Sequence, residues 1–131
     1  MAANKDPIFV LTPISDGITF VNADSTNKKT ILTAGAEGTR IDSIIICSDD
    51  TSVVNLAFYI GNGSADLYIG NVNVPIGSGY TTVAKVDAIS TLKPTYLNFL
   101  VLHHGYTLKA NAVVAITAAK TVTVTVIGGD F

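Results

Sequence analysis

Residues 121–127 read TVTVTVI, and the reading of this stretch decides the fold class. A period of two sets Val122, Val124 and Val126 on one face and Thr121, Thr123 and Thr125 on the other. A helix would scatter these valines around its axis, whereas a pleated strand gathers them on one side. The side chains are β-branched throughout, which suits a half-buried strand.

The same period recurs upstream. Val54, Leu56, Phe58 and Ile60 alternate with Val53, Asn55, Ala57 and Tyr59, and the run stops at Gly61, Asn62 and Gly63, a hairpin signal. Residues 66–74 change phase: Leu67 and Ile69 share one face, Val72 and Val74 the other, so Gly70 marks a bulge. Residues 39–47 carry Ile44, Ile45 and Ile46 in a row and are apolar on both faces. Such a strand is covered twice, by the core and, on sequence grounds, by a neighbouring subunit. Further strands are expected at 18–22, 29–34, 97–102, 106–110 and 112–117. In 83–92 the apolar residues Val83, Val86, Ile89 and Leu92 recur at every third position, which predicts a short helical turn before Pro94.

Many short strands with regular turn signals predict an all-β fold, an antiparallel β-sandwich that is jelly-roll-like, over residues 16–131. Residues 1–15 lack a partner pattern and are expected to form an extended N-terminal arm.

The chain has 131 residues, enough for one domain with one core. Charged residues make up 14% and hydrophobic ones 48%, with a net charge of −2, whereas soluble domains average about 25% charged. Part of the apolar surface is therefore expected to face protein. The adjacent basic pair Lys28 and Lys29 reads as a solvated hairpin tip, and without a basic cluster nucleic acid is not an expected partner. No apolar run approaches the roughly 20 residues of a membrane-spanning helix, and the opening residues lack a secretion signal, so a soluble protein made in a reducing compartment is expected, with no membrane partner. Cys47 is without an internal disulfide partner and reads as a small buried hydrophobe.

Candidate chemistry is sparse. His103 and His104 are adjacent and on a strand would point to opposite faces, unable to chelate one metal. Asp49 and Asp50 fall between strands, where aspartates bond local backbone amides, and the spacing of a calcium loop is absent. Ser43, Ser48 and Ser78 have no histidine and acid that the sequence sets beside them. The glycine runs at 61–63, 77–79 and 128–129 lack the lysine and helix of a phosphate loop. Arg40 and Asp42 lie two apart on a strand and are read as a surface ion pair, with an intersubunit contact as the sharper alternative. No catalytic, cofactor-binding or metal-ligating residue is assigned, and the chain is expected to be non-enzymatic.

Residues 33–43, TAGAEGTRIDS, resemble a stretch of small structural proteins of tailed bacteriophages, the capsid decoration or auxiliary head proteins. The resemblance continues through VPIGSG at 74–79, a leucine-rich strand followed by a glycine and a Leu-Lys strand, and the closing Gly128, Gly129, Asp130 and Phe131, and so covers most of the chain. It implies a jelly-roll-like sandwich, commonly a homotrimer, bound to the major capsid protein lattice on the surface of a virion made in the host cytoplasm. Gly35, Gly38, Arg40 and Asp42 then have turn and strand roles. The alternative is a glycan- or receptor-binding sandwich of a head fibre or tail, which should gather aromatic platforms beside acids or amides. Tyr59, Tyr68, Tyr80, Tyr96 and Tyr106 form no such cluster in sequence. An enzyme ranks last.

Overall fold

The computed structural model describes residues 10–131. In chain order the strands are β1 (Thr12–Val21), β2 (Lys29–Thr33), β3 (Thr39–Ser48), β4 (Val54–Gly61), β5 (Asp66–Val74), β6 (Val86–Asp87), β7 (Leu100–Leu102), β8 (Thr107–Ala112) and β9 (Thr121–Asp130), with the four-residue helix α1 (Ile89–Leu92) between β6 and β7. They form two antiparallel sheets packed as a sandwich. The first runs β1-β9-β3, with β6 and β7 both on the free side of β3, and the second runs β2-β8-β4-β5. Apart from β4 and β5, no hydrogen-bonded neighbours are consecutive in sequence. The chain crosses repeatedly between sheets, which is the jelly-roll arrangement.

The alternation of β9 does what its sequence requires. Val122, Val124 and Val126 have no exposed surface, and they meet Phe20 from β1, Ile44 and Ile46 from β3, and Leu56, Phe58 and Leu108 from the facing sheet. Fully burying each such side chain stabilises the fold by about 1.5–3 kcal/mol relative to leaving it in water. The ion pairs are partly exposed and worth well under about 1 kcal/mol each, so the core decides stability.

The bulge expected at Gly70 is present. Phe58 faces Gly70, but the next pair is Tyr59 with Tyr68, so Ile69 is the extra residue. Gly70 has φ +147°, and a Cβ there would sit 3.4 Å from Leu92 of α1. A glycine thus serves both the unusual backbone and the close approach of the helix.

Several expectations need correction. The boundary at residue 15 falls inside β1: Thr12, Pro13, Ile14 and Ser15 pair with Asp130, Gly129, Gly128 and Ile127. Residues 1–9 of the expected arm lie outside the described residues. Pro13 is accommodated because β1 is an edge strand with β9 as its partner, so a missing amide proton costs no ladder bond. Residues 112–117 are not a strand. β8 runs on to Ala112, and 113–117 form a loop whose Ile116 is 1% exposed and anchored in the core. The expected strand at 97–102 shrinks to β7, and β9 extends beyond 127 to Asp130. The helical turn expected in 83–92 is confined to α1. Its start is held by Asp87, whose Oδ1 accepts from the amides of Ile89 at 3.2 Å and Ile44 at 3.1 Å.

Candidate functional surfaces

The pairing places four connections at one end of the sandwich. Val21 lies opposite Thr121, Ser48 opposite Val122, Val54 opposite Val74 and Leu56 opposite Ala112. The β1–β2, β3–β4, β5–β6 and β8–β9 connections therefore emerge together, and this is termed the loop end. Half of the exposed large apolar side chains among the described residues sit there: Val53, Ile76, Tyr80, Val83, Val113 and Val114, the last 76% exposed. Val53 and Val114, from different loops, line one shallow hollow.

Two carboxylates pin these loops, Asp50 buried and Asp49 half-buried. Asp50 is 2% exposed and accepts from the amide of Ser52 at 2.9 Å, the amide of Thr117 at 3.0 Å and the hydroxyl of Thr117 at 2.7 Å. Burial pushes its carboxyl upward, but the hydrogen bonds from Thr117, Ser52 and Thr51 outweigh that effect and hold it below the usual aspartate range. Asp49 accepts from the amide of Thr121 at 2.7 Å. The sequence anticipated aspartates bonding local amides. It missed that both reach some seventy residues along the chain, which only the adjacency of loops in the fold supplies. Asn22 adds a third staple, donating from Nδ2 to the carbonyl of Ile116 at 2.7 Å.

The outer face of the second sheet is a different surface. The bulge in β5 turns Tyr68 outward opposite Tyr59, and the rings lie 5.7 Å apart at 57°. Lys28 sits over the Tyr59 ring at 4.1 Å. Asp66 takes Lys28 at 3.2 Å and Lys109 at 3.1 Å, and these two contacts hold its carboxyl below the ordinary range. Two rows away, Asn71 and Asn111 flank Ala57, with Asn55 and Asn73 paired beside them. The fold thus gathers two tyrosines that are dispersed in the sequence. It also corrects the reading of Lys28 and Lys29 as a solvated tip, since Lys29 is engaged by Asp24 at 3.1 Å and the carbonyl of Thr19 at 2.7 Å. The backbone amide of Val21, above all, lowers the Asp24 carboxyl; burial opposes it, and Lys29 adds to the lowering.

On the outer face of the first sheet, Thr123 and Thr125 lie opposite Cys47 and Ile45, and Ser43 lies opposite Ile127; a hollow over Gly17 runs between β1 and β9. Cys47 is half-buried, not fully buried as expected, because it points outward and is covered by the chain's own β5–β6 connection. A Cβ on Gly79, which has φ +79°, would come within 2.6 Å of its Sγ. Part of the second cover expected over this strand is therefore intramolecular. Arg40 and Asp42 do pair, Nε to Oδ1 at 3.0 Å, with the guanidinium 5.3 Å from the Phe99 ring. Both are partly exposed, as a surface pair should be.

His103 and His104 lie in the turn after β7 rather than on a strand, and their rings come within 4.1 Å, with Tyr106 at 4.9 Å from His103. The opposed orientation expected from strand geometry does not apply to them. No group of three or more histidines, cysteines or acids suited to a metal occurs among the described residues. Ser78 is buried and donates to the carbonyl of Pro75 at 2.7 Å, a turn role. Ser48 accepts from the amide of Asp50 at 3.1 Å, and Ser43 donates to Asp87 at 3.0 Å. No helix among the described residues is long and apolar enough to cross a membrane.

Comparison with protein-family models, curated proteins and solved structures gives no match for this chain.

Proposed function

We propose that this chain is a non-enzymatic structural protein of a virion, a capsid decoration module that self-associates, as a trimer, and seats on the major capsid protein lattice. The observation that carries the reading is the loop end, where several connections hold valine, isoleucine and tyrosine side chains in water on a scaffold fixed by the carboxylates of buried Asp50 and half-buried Asp49. Exposed apolar groups on a rigid platform lose little entropy on docking, which suits an interface between proteins. The low charge content points the same way. The head-shell assignment is supported by the resemblance carried by 33–43, 74–79 and 128–131. Repeated weak contacts, multiplied by oligomerisation, would give firm attachment through effective concentration.

Light scattering of the purified chain tests self-association: a trimer is expected, and the Val53→Asp, Val114→Asp double variant should run as a folded monomer. A wild-type monomer at about 100 μM, a concentration at which even weak oligomers assemble, would overturn this part. Quantitative mass spectrometry of purified particles tests the rest, with a copy number in fixed proportion to the major capsid protein as the expected result.

A further inference from the structure

We infer that the outer face of the β2-β8-β4-β5 sheet is a binding site for a neutral glycan, with Tyr68 as the stacking platform and Asn71, Asn73, Asn55 and Asn111 as the hydroxyl-reading groups. This inference does not rest on a virion role, although Asn55 also borders the loop-end hollow that Val53 and Val114 line.

The face has a floor, a wall and a closed charge balance. Ala57 is 5% exposed at the centre of the sheet and is flanked on neighbouring strands by Asn71 and Asn111. One row along, Asn55 and Asn73 lie opposite each other, and on the other side Tyr59, Tyr68 and Lys109 form the next row. Ala57 thus sets a short methyl between the longer polar side chains of Asn71 and Asn111. Tyr68 is 59% exposed, so a ring face is open to solvent. Tyr59 stands behind it at 5.7 Å and is itself covered by the Lys28 ammonium, which fixes the pair before any ligand arrives.

The chemistry selects the ligand class. An amide offers two donors and an acceptor at one site, and a sugar hydroxyl is likewise donor and acceptor, so the two can pair in either sense. A protein partner with an apolar surface would leave these amides unpaired at a cost. Asn111 already has an unmet demand: its Nδ2 donates to the carbonyl of Ala112 at 3.2 Å, while its buried Oδ1 has no donor, a need that a ligand hydroxyl meets once the amide turns that oxygen outward. The aliphatic C–H face of a pyranose matches the open tyrosine ring. The cations nearest these asparagines are engaged by Asp66, Lys109 at 3.1 Å and Lys28 at 3.2 Å, so an acidic sugar finds no free partner there.

The test is a titration of the isotope-labelled full chain by nuclear magnetic resonance. The probes are neutral oligosaccharides, namely N-acetylglucosamine oligomers, a maltohexaose and a mannohexaose, with sialyllactose and a heparin hexasaccharide as charged arms. At least one neutral sugar should shift the side-chain amide signals of Asn71, Asn73 and Asn111 together. Tyr68→Ala should then weaken binding by about tenfold or more, while Tyr68→Phe, which keeps the ring, restores most of it. Circular dichroism confirms folding of both variants, which replace an exposed side chain. Silence of the asparagine signals with every neutral probe at about 10 mM, binding by the charged arms alone, or binding indifferent to Tyr68→Ala would each overturn the assignment.

Discussion

The two ends of this sandwich are built on opposite principles. The loop end has long connections fastened to one another: Ile116 sunk in the core, buried Asp50 and half-buried Asp49 reaching across to the β8–β9 loop, and exposed Asn22 holding Ile116 from the side. The opposite end closes with short turns fastened from within. There Asn62 folds its own side chain onto the amides of Ser64 and Ala65, both at 2.9 Å, and Gly63 and Gly105 adopt positive φ with open space around them. The contrast shows that a loop can display apolar side chains in water when a buried polar group beneath it supplies the order. At the other end the β2–β3 turn has a footing of its own, buried Thr39 accepting from the amide of Gly35 at 3.0 Å, whereas the β4–β5 turn relies on Asn62 alone.

Deleting the foundation should have the largest effect. Ile116→Ala leaves a cavity under the β8–β9 loop and is expected to cost about 3 kcal/mol in urea-unfolding stability. A cost below about 1 kcal/mol would mean that the loop end is not anchored through the core. Asp50→Asn should follow, losing about 2 kcal/mol at neutral pH because an uncharged amide accepts the Thr117 and Ser52 bonds less strongly and buries donors without partners.

Acid should separate the two ends without any substitution. Asp24 and Asp50 at the loop end, and Asp66 beside the β4–β5 turn, titrate below the ordinary aspartate value of 3.8 in the folded protein, but of the three only Asp50 holds its loop through a buried carboxyl. A depressed folded pKa stabilises the fold above the unfolded value, and that contribution is lost as the pH falls through the folded one. Protection of the Thr117 amide from hydrogen exchange should therefore fall below pH 3.8, while that of Ser64 and Ala65, held by an amide that does not titrate, should not change selectively. Equal loss at both ends would erase the distinction. The smallest effect is expected at the turn itself, where Asn62→Ala should cost about 0.5–1 kcal/mol, read from the thermal midpoint.

How far the sequence could be read follows the same division between local and distant causes. Where a strand carried its own pattern, the reading succeeded: the valines of β9 are buried, and the phase change in 66–74 located the bulge at Gly70. Where order came from a partner, it failed. Residues 12–15 become a strand because β9 lies beside them, not because of any alternation of their own. The apolar run after Ala112 has strand-like residues but no neighbour in register, so it turns into the loop that carries Val113 and Val114. The juxtaposition of Tyr59 and Tyr68 depends on a one-residue slip in register, and the stacking of His103 and His104 depends on their falling in a turn. The carboxylate staples were invisible for the plainer reason that their partners lie far along the chain.

The pairing of β9 between β1 and β3 also sets the timetable of folding. The central strand of the first sheet is the last of the nine strands among the described residues to leave a ribosome, so β1 and β3 must wait without the partner that joins them. A nascent chain halted before residue 121 would expose two unpaired strand edges, and renaturation from denaturant should be slow, since its decisive contacts span most of the polypeptide.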